Sequence, residues 1–127
     1  MAIFKFADPI SCGLVSLEYN CLFTASWDKM IRVVDLESNK VNKSFIGSKE
    51  AIKTIALEDD LLFVAGCDPL IRCFNMTNGE TKVFSGHKGW VYTIKVLKSE
   101  EYGDRLFSGG DDRTIIIWDI EKTKALD

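Results

Sequence analysis

The chain has 127 residues, 46% hydrophobic and 28% charged, with a formal net charge of −3. That is enough for one ordinary domain with its own core, and the mixture gives no ground for disorder. The charge balance offers no electrostatic reason to expect nucleic acid or an anionic membrane as partner, and the longest apolar run, Leu61–Cys67, is far too short to span a bilayer.

Taken in order, Met1–Phe6 is short and rich in apolar residues, and it lacks the basic segment and long apolar core of a secretory signal. A strand is predicted over Gly13–Leu17, and a second over Leu22–Ser26. After Asp28 comes a stretch with apolar residues in strand alternation, closing on Val34-Asp35. The pattern then returns. Leu62-Phe63-Val64-Ala65-Gly66 lies 40 residues after Leu22-Phe23-Thr24-Ala25-Ser26, and Leu106-Phe107-Ser108-Gly109-Gly110 lies 44 further on. Asp68 and Asp112 follow as Asp28 does, then Ile71 and Ile115 as Ile31 does, then Phe74-Asn75 and Trp118-Asp119 as closing pairs.

Strands that open each copy are predicted at Gly13–Leu17, Lys53–Leu57 and Val91–Leu97. Val41–Ile46 and Thr81–Ser85 supply further strands, and Met1–Phe6 aligns with them. Asn39 and Asn78-Gly79 mark the turns that lead into these segments. Gly109-Gly110-Asp111-Asp112-Arg113 is turn chemistry: glycine tolerates positive φ, and aspartate bonds its own backbone. Lys98–Arg105 is a solvated loop that lengthens the third copy. No amphipathic helix is predicted. Several short strands repeating every 40–45 residues or so are the signature of a β-propeller.

The third copy, from Gly86-His87 to Trp118-Asp119, resembles one complete WD40 repeat. The first two are weaker copies without the Gly-His and the Trp. The resemblance implies an all-β segment of three antiparallel four-stranded blades, with repeats at about 1–36, 37–76 and 77–120 and a tail over 121–127. It implies that Met1–Phe6, Val41–Ile46 and Thr81–Ser85 are outermost strands of the preceding blade. It also implies a structural network in which His87, Ser108, Asp112 and Trp118 satisfy one another inside a blade. Thr24 and Asp28 remain of it in the first repeat, and Asp68 in the second. Those blades are expected to rely on apolar packing and on turn capping by the Asp.

His87, Ser108 and Asp112 are also the residue types of a nucleophilic triad, but Ser108 lies in a strand without a nucleophile elbow. The network accounts for all three, so no catalytic residue is expected. Cys12, Cys21, Cys67 and Cys73 show no C-x-x-C spacing, and His87 is the single histidine. No zinc or other metal site and no cofactor is therefore expected. Asp111-Asp112 reads as a turn rather than a metal pair. Cys73 stands where Val33 and Ile117 stand and reads as a small buried hydrophobe. Reduced thiols without a signal point to the cytosol or nucleus. Arg32 and Arg72 share a strand position and are expected to extend to solvent or to pair with neighbouring blades, with phosphate reading as a lesser alternative.

The resemblance places partner binding on the end where the loops entering each repeat meet the turns before its third strand. Candidate residues there are Trp27, Lys53, Trp90, Tyr92, Asp111 and Arg113, because exposed Trp and Tyr mark interfaces. The alternative for Trp90 and Tyr92 is packing against a neighbouring blade. The expected function is a non-catalytic scaffold for other proteins or peptides. The alternative is a substrate-recruiting or regulatory segment of a longer enzyme such as a ubiquitin ligase or kinase. RNA binding is disfavoured by the charge. Three blades are expected to be part of a larger closed ring. In isolation, Met1–Phe6 of one copy is expected to complete the third blade of another, giving a two-fold dimer of six blades or aggregation.

Overall fold

A computed structural model describes residues 2–126. Among them are strands and turns and no helix. The strands are β1 (Ile10–Ser16), β2 (Cys21–Ser26), β3 (Met30–Asp35), β4 (Lys40–Ile46), β5 (Ile52–Glu58), β6 (Leu61–Gly66), β7 (Asp68–Asn75), β8 (Thr81–Ser85), β9 (Val91–Leu97), β10 (Arg105–Gly110), β11 (Ile115–Asp119) and β12 (Lys124–Ala125). They form three four-stranded antiparallel sheets in simple succession: β1 to β4, β5 to β8 and β9 to β12. β6, with Leu62, Phe63, Val64 and Ala65 all buried, is apolar on both faces because the second sheet lies between the other two.

The core lies between sheets. Phe23, Ala25, Ile31 and Val33 of the first sheet pack on Ile52, Ile55, Leu62 and Val64 of the second. Phe63, Ala65, Ile71 and Cys73 of the second pack on Val91, Ile94, Leu106 and Trp118 of the third. Cys73 is thus a core residue, and burial pushes its thiol up to about 11.

Each sheet has the same irregularity near the start of its first strand. The register of β1 slips between Ile10 and Cys12, that of β5 between Ile52 and Thr54, and that of β10 against β9 where Gly110 faces Val91. Ser11, Lys53 and Tyr92 are the extra residues. A bulge of this kind re-aims a side chain. It also extends the first strand to Ile10–Ser16 rather than Gly13–Leu17, since Ile10 regains a partner in Ser26 and Leu17 falls outside, 85% exposed. Pro9 and Ser11 therefore stand where Ala51 and Lys53, and Trp90 and Tyr92, stand in the later sheets.

Two expectations about outer strands are corrected. Residues 2–6 form no strand, and Met1 lies outside the described residues. An outer strand needs the free edge of a third strand, and β3, β7 and β11 are already paired with β4, β8 and β12. The 121–127 stretch expected as a tail supplies β12, which completes the third sheet. Asp119 folds it back: its Oδ1 accepts the Lys122 N–H at 2.9 Å, and Thr123 takes a left-handed φ of 57°. Asp35 with Asn39 and Asn75 with Gly79 build the same turn in the other sheets.

Candidate functional site

The loop before β9, strand β10, the turn after it and strand β11 bring four side chains together. Trp118 Nε1 donates to Ser108 Oγ at 2.8 Å, Ser108 Oγ lies 2.7 Å from His87 Nε2, and His87 Nδ1 lies 2.9 Å from Asp112 Oδ2. Indole can only donate and carboxylate only accept. A neutral imidazole with its proton on Nδ1 then satisfies every member: Ser108 donates to Nε2, and Nδ1–H donates to Asp112. The Lys88 amide, the His87 ring and Thr114 all reach the Asp112 carboxyl and hold it well below the usual carboxylate range. Thr114 joins the network unforeseen. Its signal was its place two residues after the turn Asp, where a hydroxyl can close an Asx turn. Ser108 is 2% exposed and its oxygen already accepts the indole N–H, so the Asp–His–Ser series is closed to an approaching carbonyl.

The first two sheets solve the same problem differently. Asp28 caps Met30 N–H and Asp68 caps Leu70 N–H, as turn aspartates do. Each is also paired by the arginine four residues on. Arg32 reaches Asp28 at 2.5 Å, and Arg72 reaches Asp68 at 3.1 Å while donating to Ser48 Oγ at 3.1 Å. The arginine pairing lowers the Asp28 carboxyl. Arg32 and Arg72 therefore neither extend to solvent nor cross to a neighbouring blade; they stay in their own sheets, because a half-buried carboxylate without histidine requires another cation. The signal was their position four residues after each Asp, where the third copy has Ile116.

At the turn end, backbone pairing fixes the candidate binding residues. Trp27 N–H donates to Pro9 C=O, Cys67 N–H to Ala51 C=O and Asp111 N–H to Trp90 C=O. Trp27 is 46% exposed, and Lys53 Nζ lies 4.3 Å from its ring centroid, so the two meet across the first two sheets. Trp90 and Tyr92 are also exposed and stack edge to face with centroids 6.3 Å apart. Asp111 and Arg113 sit exposed in the adjoining turn, Arg113 with a left-handed φ of 65°. Among the described residues no group of three or more His, Cys, Asp or Glu converges.

A family model for the WD domain, G-beta repeat, matches residues 78–119. The WD40 beta propeller domain of Doa1 superposes with a TM-score of 0.78 at 30% identity over 93% of this chain and 39% of that one. The three sheets are WD40 blades. U3-55K shares the fold, with a TM-score of 0.85 at 17% identity, covering 98% of this chain and 40% of that one. Protein tipD of Dictyostelium discoideum is 30% identical over 106 residues, 81% of this chain and 17% of that protein. Protein Rae1 of Drosophila melanogaster is 28% identical over 134 residues, 97% of this chain and 38% of that protein. The chain thus spans two fifths or less of these relatives. The family match takes in β8 of the second sheet and β9 to β11 of the third, so it holds the full His87, Ser108, Asp112 and Trp118 network, and both Asp–Arg pairs lie outside it.

Proposed function

We propose that this WD40 chain is a non-catalytic scaffold that presents its turn end to a protein or peptide partner. The observation that carries this reading is the exposed Trp27 with Lys53 over its ring, held on a backbone-paired turn. A large exposed aromatic on a rigid support loses little entropy on binding. The exposed pair of Trp90 and Tyr92, with Asp111 and Arg113 beside it, extends the same surface. The buried, already bonded Ser108 supports the absence of nucleophilic chemistry. The four free cysteines fit the cytosol or nucleus. The chain's partial coverage of its relatives suits a second reading, in which the same end recruits substrates for a longer enzyme. The test is a pull-down with the longest protein containing this chain, against Trp27→Ala and Trp90→Ala variants with unchanged circular dichroism. Partner capture is expected to fall in both; capture equal to the parent in both would sink the reading.

A further inference from the structure

The second blade differs from the third in one large side chain. Phe74 faces Leu62 as Trp118 faces Leu106, so the two rings hold the same place. The Trp118 indole reaches over Gly86, where a Cβ would come within 2.9 Å of Cη2. Gly47 is the matching glycine, preceding Ser48 as Gly86 precedes His87. A Cβ there would meet Ile31 and Ile52 first, not Phe74. Phenyl lacks the second ring, and Ile31 and Ile52 pack at Gly47 instead. A cleft of about 260 Å³ runs from Gly47 across Phe74 to Val83, on the flank between the first two blades. A second, of about 270 Å³, continues it past Phe45 to Met76 and shares Ile46 and Phe74 with the first.

The charge around this flank departs from the chain's balance. Lys43, Lys49 and Arg72 line the two clefts, and no aspartate or glutamate does, in a chain with 19 acidic and 16 basic residues; Lys82, opposite Cys73, belongs to the other face of that sheet. Arg72 is bound to Asp68 and Ser48. Among the described residues Lys43 and Lys49 form no ion pair. The floor between them is apolar, with Ile46 70% exposed. An apolar slot rimmed by ammonium groups complements a peptide that buries one large apolar side chain and flanks it with carboxylates. A single strand of nucleic acid would need open aromatic faces for stacking. Here the Phe74 ring is turned edge-to-face against Phe45, with centroids 5.1 Å apart.

We propose that the flank between the first and second blades, which starts at the loop of Gly47, Ser48 and Lys49 and runs from there past Phe45 to Met76, is a docking groove for an acidic peptide segment with a large apolar anchor. The test is selection of a random decapeptide library on the full chain, followed by fluorescence polarisation with the enriched peptides. Peptides carrying Asp or Glu around a Leu or Phe are expected. Their affinity should fall about tenfold or more with Lys43→Glu/Lys49→Glu, which reverses the rim. Phe74→Trp, which fills the slot and keeps the charge, should weaken them as well. Trp27→Ala should leave them unchanged. Three outcomes would overturn the groove: no acidic consensus, binding indifferent to both groove variants, or equal binding of a labelled oligothymidylate. Loss with Trp27→Ala alone would overturn it too, while supporting the turn end as the binding face.

Discussion

Trp118 and Asp112 end a relay whose direction they impose, so removing either end leaves a buried group without its partner. Trp118→Phe takes away the donor to Ser108 Oγ and opens space over Gly86. A cost of about 1–3 kcal/mol is expected, read as a lower denaturant midpoint at unchanged slope. An unchanged midpoint would refute the relay as a source of stability. The reverse change, Phe74→Trp, should bring no gain, because Val64 stands at the serine position and offers the indole N–H nothing. The acid limb of stability tests the other end. Asp112 has a folded pKa lowered by the Lys88 amide, His87 and Thr114. A depressed carboxyl contributes stability that is complete above its unfolded pKa, roughly 3.9, and is lost as pH falls through the folded value. Asp112→Asn should therefore be less stable than the parent at pH 7. Its melting temperature should also change less between pH 4 and pH 2. Parallel curves over that window would show that the carboxyl is not specifically held.

Blade order, the strand repeat and the meeting of His87, Ser108, Asp112 and Trp118 were legible, because each rests on residue types recurring at fixed offsets. Elements without such a marker were not. β12 is two residues long and polar at Lys124, so no apolar alternation announces it. What forms it is Asp119, whose carboxylate closes the same turn as Asp35 and Asn75. The spacing Asp35–Lys40 recurs as Asp119–Lys124 and would have found it. Met1–Phe6 misled for the opposite reason: it has the apolar content of an outer strand, but among the described residues each third strand is already paired with its own fourth. The Asp–Arg pairs were missed because family resemblance draws attention to what the first two blades lack, not to the cation that replaced the histidine. The turn argument predicts an outcome at the scale of this element. Asp119→Ala should release β12, so the Leu126 amide, bonded to Ile117 C=O at 2.8 Å, should exchange faster. Amides shared by β9 and β10 should keep their protection. Unchanged exchange at Leu126 would mean that backbone pairing alone holds the strand.

Both inter-blade cores use one interface twice, and the third blade presents its first half again. Ile31 and Ile71 are fully buried against the next blade, whereas Ile115, at the same position, is 80% exposed with Ile117 beside it. The first blade presents the second half: Ile10 and Val15, exposed, stand where Ile52 and Leu57 stand in the second. Faces this apolar favour covering. Because the halves are complementary rather than self-complementary, contact between copies would be head to tail, a geometry that closes into a ring or runs on according to its rotation. That differs from strand exchange through Met1–Phe6, for which the edge of β11 beside Lys124–Ala125 is no longer free. The 127-residue chain alone is expected to associate in a concentration-dependent way in sedimentation velocity at micromolar concentration. Ile115→Lys/Ile117→Lys should shift it to monomer by placing charges in the face, while deletion of Met1–Phe6 should leave association intact. A monodisperse parent monomer would show that these faces remain open to water. Association lost on deletion would return the contact to the N-terminal segment, against the pairing of β11 with β12.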